Sequence, residues 1–371
     1  MVFLKDTILK KLQSNPVAQQ MLQFGNNIGN LFPNEEALCM ASAFMQDKQT
    51  RIVVKKNRYE AQQLYQRLKP LVEDTLLFVM EESLRVQAIA SSPEDKQEQL
   101  YVLTQLVKED KPRIIICNTA AFLRYLPDKE LFKSLCFKFE VDQEITMAEL
   151  KQKLNRAGYT KVNYVDRPCT YASRGGIVDV YCLEYEHPIR IEFFDTVIES
   201  IRLFHEETQR TIQTIDSVLI NPATDLLFTD DQIEYLQKEI DSELEKQQAK
   251  LIQDDYEFLL DYIEKDKISI ENYDIDPHLY IYFSYLNANK LTDYVNGHII
   301  FSSQEEVENG YKKLNEETIS FIQEMVESHQ YLPRYSMFHD LFTFEKGHTI
   351  QMFHDFLDLK QPIFSKIETL E

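Results

Sequence analysis

The chain has 371 residues, with 40 Lys and Arg against 61 Asp and Glu, and its formal net charge is −21. A surface this acidic repels phosphate backbones, which excludes strong autonomous binding of nucleic acid and favours a protein partner. No apolar run reaches the roughly 18 residues of a membrane span, so the sequence predicts no contact with a membrane. Five scattered cysteines and the lack of a signal-peptide pattern predict a cytoplasmic protein with reduced thiols. At this length we expect two or three domains.

The first part of the chain alternates strand and helix patterns. Short apolar runs, typical of strands buried in a parallel sheet, cover residues 51–55, 75–80 and 113–117. Helical patterns lie at about 35–46, 59–72 and 94–109. Ser92-Pro93 offers the last of these a cap residue and a first-turn proline. Repeated strand–helix units predict a doubly wound α/β domain over residues 1–136.

Strand patterns dominate the middle of the chain. A short helical pattern at 147–156 ends near Gly158. The strand patterns that follow it in the sequence cover residues 162–165, 171–181, 187–194, 198–202 and 217–220. Asn221-Pro222 is a turn signal that marks the exit from this region. We therefore predict a separate α+β domain over residues 137–220.

The third part, residues 221–371, is mostly helical. Thr229-Asp-Asp-Gln has the form of a capping box and opens a helical stripe of apolar residues. Further patterns predict a helix at 254–267, a buried strand at 298–301 and a long amphipathic helix at 315–329.

One predicted strand of the middle domain separates polar and apolar side chains with a two-residue period. The inward set is Ile189, Ile191 and Phe193. The outward set is Arg190, Glu192 and Phe194. Arginine and aromatic residues dominate the energetics of protein interfaces, so the outward set suits a docking surface. The same alternation also fits an ordinary solvated face of a sheet.

The order of motifs around this strand resembles that of one protein family. The motifs are Arg174-Gly-Gly-Ile-Val-Asp-Val-Tyr, Pro188-Ile-Arg-Ile-Glu-Phe-Phe-Asp, Ile198-Glu-Ser-Ile-Arg and Thr208-Gln-Arg. Together they resemble the amino-terminal, UvrB-like module of bacterial transcription-repair coupling factors (Mfd). Weaker matches at Asn34-Glu-Glu-Ala-Leu, Tyr59-Glu-Ala-Gln, Asn118-Thr-Ala-Ala and Gly158-Tyr extend the resemblance over most of the chain.

The resemblance implies both a fold and a partner. The fold would be a degenerate helicase-like (P-loop NTPase-like) α/β domain, with residues 221–371 returning to complete the domain begun by 1–136. The domain at 137–220 would be inserted and would recruit the damage-recognition protein UvrA in transcription-coupled nucleotide excision repair. The family's motor motifs are absent from this chain, so the resemblance also implies intramolecular contacts with a C-terminal part of a longer parent.

The same resemblance assigns the partner-binding residues. By position, these are Arg174, Arg190, Glu192, Phe194 and, as an extension on the neighbouring strand, Arg202. The family commonly has Gly at the position of Asp195 and an acidic residue at that of Val197. Since Asp tolerates turn conformations, we expect the hairpin to survive the first change, whereas a contact made by the missing acidic residue is lost.

No catalytic site is predicted in these residues. A phosphate loop needs clustered glycines followed by Lys and Ser or Thr, whereas Phe24-Gly-Asn-Asn-Ile-Gly-Asn-Leu-Phe-Pro keeps two glycines and lacks the rest. The histidines and cysteines show no metal-binding spacing, and the acidic pair Asp261 and Glu264 is interpreted as a solvated helix face. We therefore expect no cofactor, no metal and no enzymatic activity.

Two alternatives to UvrA recruitment remain open at this point. The chain could be a fragment of a divergent ATP-dependent DNA helicase related to UvrB. It could also be an autoinhibitory module that packs against the rest of its parent protein.

Overall fold

A computed structural model describes residues 2–354, except for 24, 26, 30, 83–92, 275 and 335. These residues form fourteen strands: β1 (Asn27–Gly29), β2 (Arg51–Lys55), β3 (Thr75–Phe78), β4 (Ile114–Asn118), β5 (Phe137–Glu140), β6 (Thr160–Lys161), β7 (Thr170–Arg174), β8 (Ile177–Tyr181), β9 (Ile189–Phe194), β10 (Val197–Phe204), β11 (Thr211–Ile215), β12 (Ser217–Ile220), β13 (His298–Phe301) and β14 (Ile350–His354).

The same described residues form thirteen α-helices: α1 (Val2–Leu12), α2 (Pro16–Gln20), α3 (Pro33–Asp47), α4 (Arg58–Leu68), α5 (Pro93–Lys108), α6 (Thr119–Leu123), α7 (Lys129–Ser134), α8 (Met147–Arg156), α9 (Asp230–Gln248), α10 (Gln253–Glu271), α11 (Leu291–Tyr294), α12 (Gln304–Glu327) and α13 (Leu341–Gly347). A 3-10 helix covers Pro277–Tyr285. Among the described residues, no helix is long and apolar enough to cross a bilayer.

A six-stranded sheet, parallel throughout, forms the centre of the α/β part, in the order β1-β14-β13-β2-β4-β3. Its central strands β2 and β4 are apolar except at Arg51, Lys55 and Asn118, which lie at strand ends, because side chains on both faces are buried under helices. The strands β13 and β14 come from the last part of the chain, yet they lie between β1 and β2. Residues on both sides of the middle domain therefore build one sheet, and the predicted α/β class is confirmed.

A second six-stranded sheet belongs to the middle of the chain, in the order β11-β10-β9-β8-β7-β6. All its pairings are antiparallel except the short β6–β7 pair. One face packs on the main core through residues such as Val178, Ile191 and Ile201, each fully buried. The other face covers only a small cluster made by Val165, Ala172 and Phe204. That second face, here called the outer face, is therefore the one available to a partner.

Two paired strands connect this sheet to the α/β part. The chain enters the middle domain along β5 and leaves along β12, and the two strands form an antiparallel ribbon. Just beyond β12, Asp225 forms a 2.5 Å ion pair with Arg124, whose side chain is buried and also lies over the ring of Tyr280. These contacts join three distant parts of the chain at the base of the middle domain.

The largest differences between the predicted and the observed helices and strands are two. The predicted strand at Val162–Val165 is wrong, because these residues form a loop in which Val165 packs onto the outer face. The predicted helix at 315–329 begins earlier, at Gln304. Gly310 lies inside it, where a Cβ atom would be only 3.3 Å from the carbonyl oxygen of Lys56. The cap signal at Ser92 lies outside the described residues.

A partly buried charge cluster joins α10 to the 3-10 helix. The ring nitrogens of His278 lie 2.7 Å from Asp266 and 2.8 Å from Asp276, and the hydroxyl of Tyr282 donates to Asp266 at 2.7 Å. Burial alone would lower the pKa of His278, but the hydrogen bonds to the two carboxylates outweigh it and raise that pKa to about 9. The imidazole is therefore charged at neutral pH.

This cluster makes the stability of the protein depend on pH. Because the pKa of His278 rises from 6.5 on folding to about 9, its contribution is complete below pH 6.5 and is lost as the pH rises to 9. We expect the free energy of unfolding to fall by roughly 1–2 kcal/mol over this range in the wild type but not in His278→Gln. Urea denaturation at several pH values measures this difference. Parallel curves for the two proteins would contradict the prediction.

Candidate functional site

The five residues predicted to bind a partner all lie in the middle domain's large sheet. They are Arg174 on β7, Arg190, Glu192 and Phe194 on β9, and Arg202 on β10, and together they are called the docking strip. The predicted alternation along β9 is observed, since Ile189 and Ile191 are fully buried whereas Phe194 is 75% exposed. Arg202 lies directly opposite Arg190 in the β9–β10 pair. The three strip side chains of β9 and Arg202 of β10 therefore lie together on the outer face.

Arg190 is held in place by three neighbours. Its Nε and Nη2 atoms donate to the two carboxylate oxygens of Asp179, at 2.7 and 2.8 Å, and Nη2 also donates to Gln209 at 2.7 Å. The guanidinium lies 4.2 Å from the ring centroid of the buried Phe204. Hydrogen bonding to Asp179 is the main reason that the pKa of Arg190 is raised. Only 21% of this side chain is exposed, so Arg190 is a rigid and already neutralised part of the surface.

Glu192 and Arg202 form a second neutral pair beside the first. Nη2 of Arg202 contacts Oε1 of Glu192, and the hydroxyl of Ser200 donates to Oε2 at 2.8 Å. Both charged side chains remain between a quarter and a third exposed. Nε of Arg202 is buried and has no hydrogen-bond partner among the described residues. The pair therefore keeps one donor unused.

Phe194 projects from the end of the β9–β10 hairpin. It lies opposite Val197, and Asp195 in the turn between them adopts a left-handed φ of 57°. This is the conformation that glycine adopts without strain, and Asp is among the residues that tolerate it. The hairpin therefore persists although the family's glycine is replaced, and it presents an exposed phenyl ring.

Arg174 lies on β7, two strands away from β9, and the register places it level with Glu192. Its Nη2 atom donates to the carbonyl oxygen of Asn163 at 2.5 Å, and no carboxylate pairs with it in the described part of the chain. The next residue, Gly175, has a φ of 56°, and a Cβ on Gly176 would lie 3.0 Å from the carbonyl oxygen of Phe193. The two glycines thus permit the tight turn that places Arg174 at the edge of the outer face.

Sequence reasoning missed the residues that fix these side chains in place. Asp179, Ser200 and Gln209 supply the polar partners, and Phe204 supplies the ring beneath Arg190. The two-residue period of β8 already places Asp179 on one face with Ile177 and Tyr181. What the sequence lacks is the register, Asp179 opposite Arg190, which depends on the turn that joins β8 to β9.

The stretch with the two glycines of the degenerate phosphate loop, residues 24–33, contains a short strand. Strand β1 occupies Asn27–Gly29, so Gly25 lies before the strand and Gly29 is its last residue. Over the described ranges, no three His, Cys, Asp or Glu side chains gather to hold a metal ion. Asp261 and Glu264 instead pair with Lys265 and Lys267.

Comparison with protein families matches the middle domain. The family model of the UvrB interaction domain covers residues 137–226, which include β5 through β12 and the whole docking strip. The class of this chain is thus defined by a UvrB interaction domain carried on a parallel α/β core.

Similarity over more of the chain points to one particular family. The chain is 32% identical over 300 residues to the transcription-repair-coupling factor of Bacillus subtilis, an alignment covering 78% of this chain and 25% of that protein. It is 28% identical over 308 residues to the protein of the same name in Staphylococcus haemolyticus, covering 81% and 26% respectively. The resemblance to the amino-terminal module of transcription-repair coupling factors is confirmed, and the chain spans about a quarter of the length of these relatives.

The pairing of Asp179 with Arg190 predicts a measurable coupling in stability. Asp179→Asn, Arg190→Gln and the double variant form a double-mutant cycle, and we expect a coupling energy of about 1–2 kcal/mol because two charge-assisted hydrogen bonds are shared. The exposed pair Lys138 and Glu140 is the matched control, with an expected coupling below about 0.5 kcal/mol. Urea denaturation followed by circular dichroism measures both cycles. Equal couplings would show that Arg190 is not held as described.

Proposed function

We propose that the middle domain recruits UvrA through the outer face of its sheet, in transcription-coupled nucleotide excision repair. The α/β part would then be a helicase-like scaffold that carries the docking domain and performs no catalysis itself. The match to the UvrB interaction domain and the similarity to transcription-repair coupling factors support this proposal.

The single observation that carries the proposal is the exposure of Phe194 beside two fixed charge pairs. Exposed aromatic rings on a rigid, polar-rimmed surface are the usual anchors of protein interfaces. The ion pairs Arg190–Asp179 and Arg202–Glu192 already hold their side chains in one arrangement, so that a partner has little side-chain entropy to remove on binding. Docking would therefore bury the ring and match polar groups that are already in place.

Phe194→Ala is the sharpest test of this surface. The side chain is 75% exposed, so its removal should leave the fold intact while it weakens UvrA binding by about 2 kcal/mol, roughly a thirtyfold increase in Kd. Isothermal titration calorimetry with purified UvrA measures the change. Phe32→Ala is the matched control, because Phe32 is 72% exposed at the start of α3 in the other part of the molecule. If the two substitutions changed the Kd equally, Phe194 would not be part of the interface.

Arg174 should account for most of the salt dependence of this binding. The other cations of the strip are neutralised within the chain, whereas no carboxylate pairs with Arg174 in the described part. We expect Arg174→Gln to weaken UvrA binding about five- to tenfold at low salt, and to bind with nearly wild-type affinity at high salt. Titrations at several salt concentrations test this, with Lys238→Gln on α9 as a charge-matched control. If UvrA binding by Arg174→Gln depended on salt concentration as strongly as binding by the wild type, Arg174 would not be the source of that dependence.

The chain's own chemistry favours docking over the helicase alternative. Lys55 and Lys56, at the carboxyl end of β2 in the parallel sheet, already pair with carboxylates. ATP hydrolysis would need basic groups there that remain free for phosphate.

A further inference from the structure

A cleft of about 400 Å³ opens at the carboxyl ends of the parallel strands. It is bounded by the ends of β2 and β13 and by the start of α3. In open α/β folds this edge of the sheet is the usual place for a phosphate group, which binds at the amino end of a helix. The helicase-like fold that the resemblance implies would place a nucleotide here, so the residues that line the cleft decide whether one fits.

Glu36 fills the position where an anion would bind. Its side chain is buried in the first turn of α3, and Oε2 accepts a hydrogen bond from Nζ of Lys55 at 2.8 Å. Oε1 accepts a second hydrogen bond from the hydroxyl of Ser302 at 2.7 Å, and Nζ of Lys55 also contacts that hydroxyl. A lysine and a hydroxyl at a helix amino end are the groups that commonly hold a phosphate, and here both hold a carboxylate.

The remaining charges of the cleft are balanced in the same way. Lys56 contacts Glu306 and lies 2.9 Å from Glu60. The hydrogen bond to Glu306 contributes most, and that to Glu60 next, to raising the pKa of the lysine. Three carboxylates and three cations line the cleft, the third cation being Arg67. A phosphate entering the cleft would meet no excess positive charge, and it would have to displace carboxylates from their lysines.

The backbone of α3 offers a phosphate less than a glycine-rich loop does. Pro33 is the first residue of the helix and has no N–H group to donate. The adjacent Phe32 N–H donates instead to the side chain of Glu35, at 3.1 Å. Neither the charges nor the backbone donors of this cleft therefore fit a nucleotide.

We propose that Glu36 is a built-in substitute for phosphate. Its carboxylate occupies the anion position permanently, neutralises Lys55 and links α3 to the end of β13 through Ser302. The cleft is thereby converted from a ligand site into a structural contact. Removing the charge of Glu36 should uncover an anion site for inorganic phosphate.

The test compares Glu36→Gln with the wild type and with Glu35→Gln, using the full chain. Glu35→Gln removes the same charge from the same helix but leaves the contact with Lys55 untouched. Inorganic phosphate is titrated against chloride at equal ionic strength, and binding is followed by ³¹P NMR and by thermal unfolding. We expect Glu36→Gln to bind phosphate at least about tenfold more tightly than the other two proteins. Adding Lys55→Met to Glu36→Gln should abolish the gain.

The other possible results of this experiment either overturn or support the proposal. Phosphate binding by the wild type that Lys55→Met removes would overturn the proposal, because the cleft would then accept an anion despite Glu36. So would a folded Glu36→Gln that binds phosphate no better than Glu35→Gln. If Glu36→Gln folds only when phosphate is present, phosphate has replaced the missing carboxylate and the proposal holds. Failure to fold in both salts would show that the carboxylate itself is required and would overturn it.

Discussion

The pairing of β13 with β2 is the constraint on which the rest of the structure depends. His298–Phe301 lies in parallel register with Arg51–Val54, and β14 then separates β13 from β1. The residues between β2 and β13 include the whole middle domain, so this pairing closes a long loop, and its entropic cost must be met by the contacts that β13 gains. Both ends of the middle domain must consequently lie close together, and the β5–β12 ribbon meets this requirement.

Internal charge pairing is common to the two surfaces that could contact other molecules. On the outer face, Asp179 and Glu192 neutralise Arg190 and Arg202, which leaves Phe194 and Arg174 as the groups most open to a partner. In the cleft of the parallel sheet, carboxylates neutralise the lysines. Part-buried pairs of this kind contribute modestly to stability, but they fix geometry, because breaking one leaves a charge without a partner. The docking face and the loss of an anion site, both proposed above, therefore rest on the same kind of internal charge pairing.

Local sequence patterns predicted most helices and strands correctly. They failed where contacts between distant parts of the chain determine the structure. The alternation along β9 and the capping box at Thr229 were correct, since each depends on neighbouring residues alone. Val162–Val165 has the composition of a strand, but the loop it forms packs across the outer face. The glycine at position 310 inside α12 is explained by the close approach of the Lys56 carbonyl, just after β2. The partners of Arg190 and the carboxylate beside Lys55 could not be predicted, because strand register and sheet order bring them together.

The paired ribbon also determines how the middle domain would transmit mechanical force. Since both connecting strands leave the α/β part at one place, a pull on the sheet would not stretch the chain from one end to the other. It would act as a bending load on the base of two hydrogen-bonded strands, next to the buried contact between Arg124 and Asp225. Because one face of the sheet also packs on the main core, that packing would resist the bending together with the ribbon.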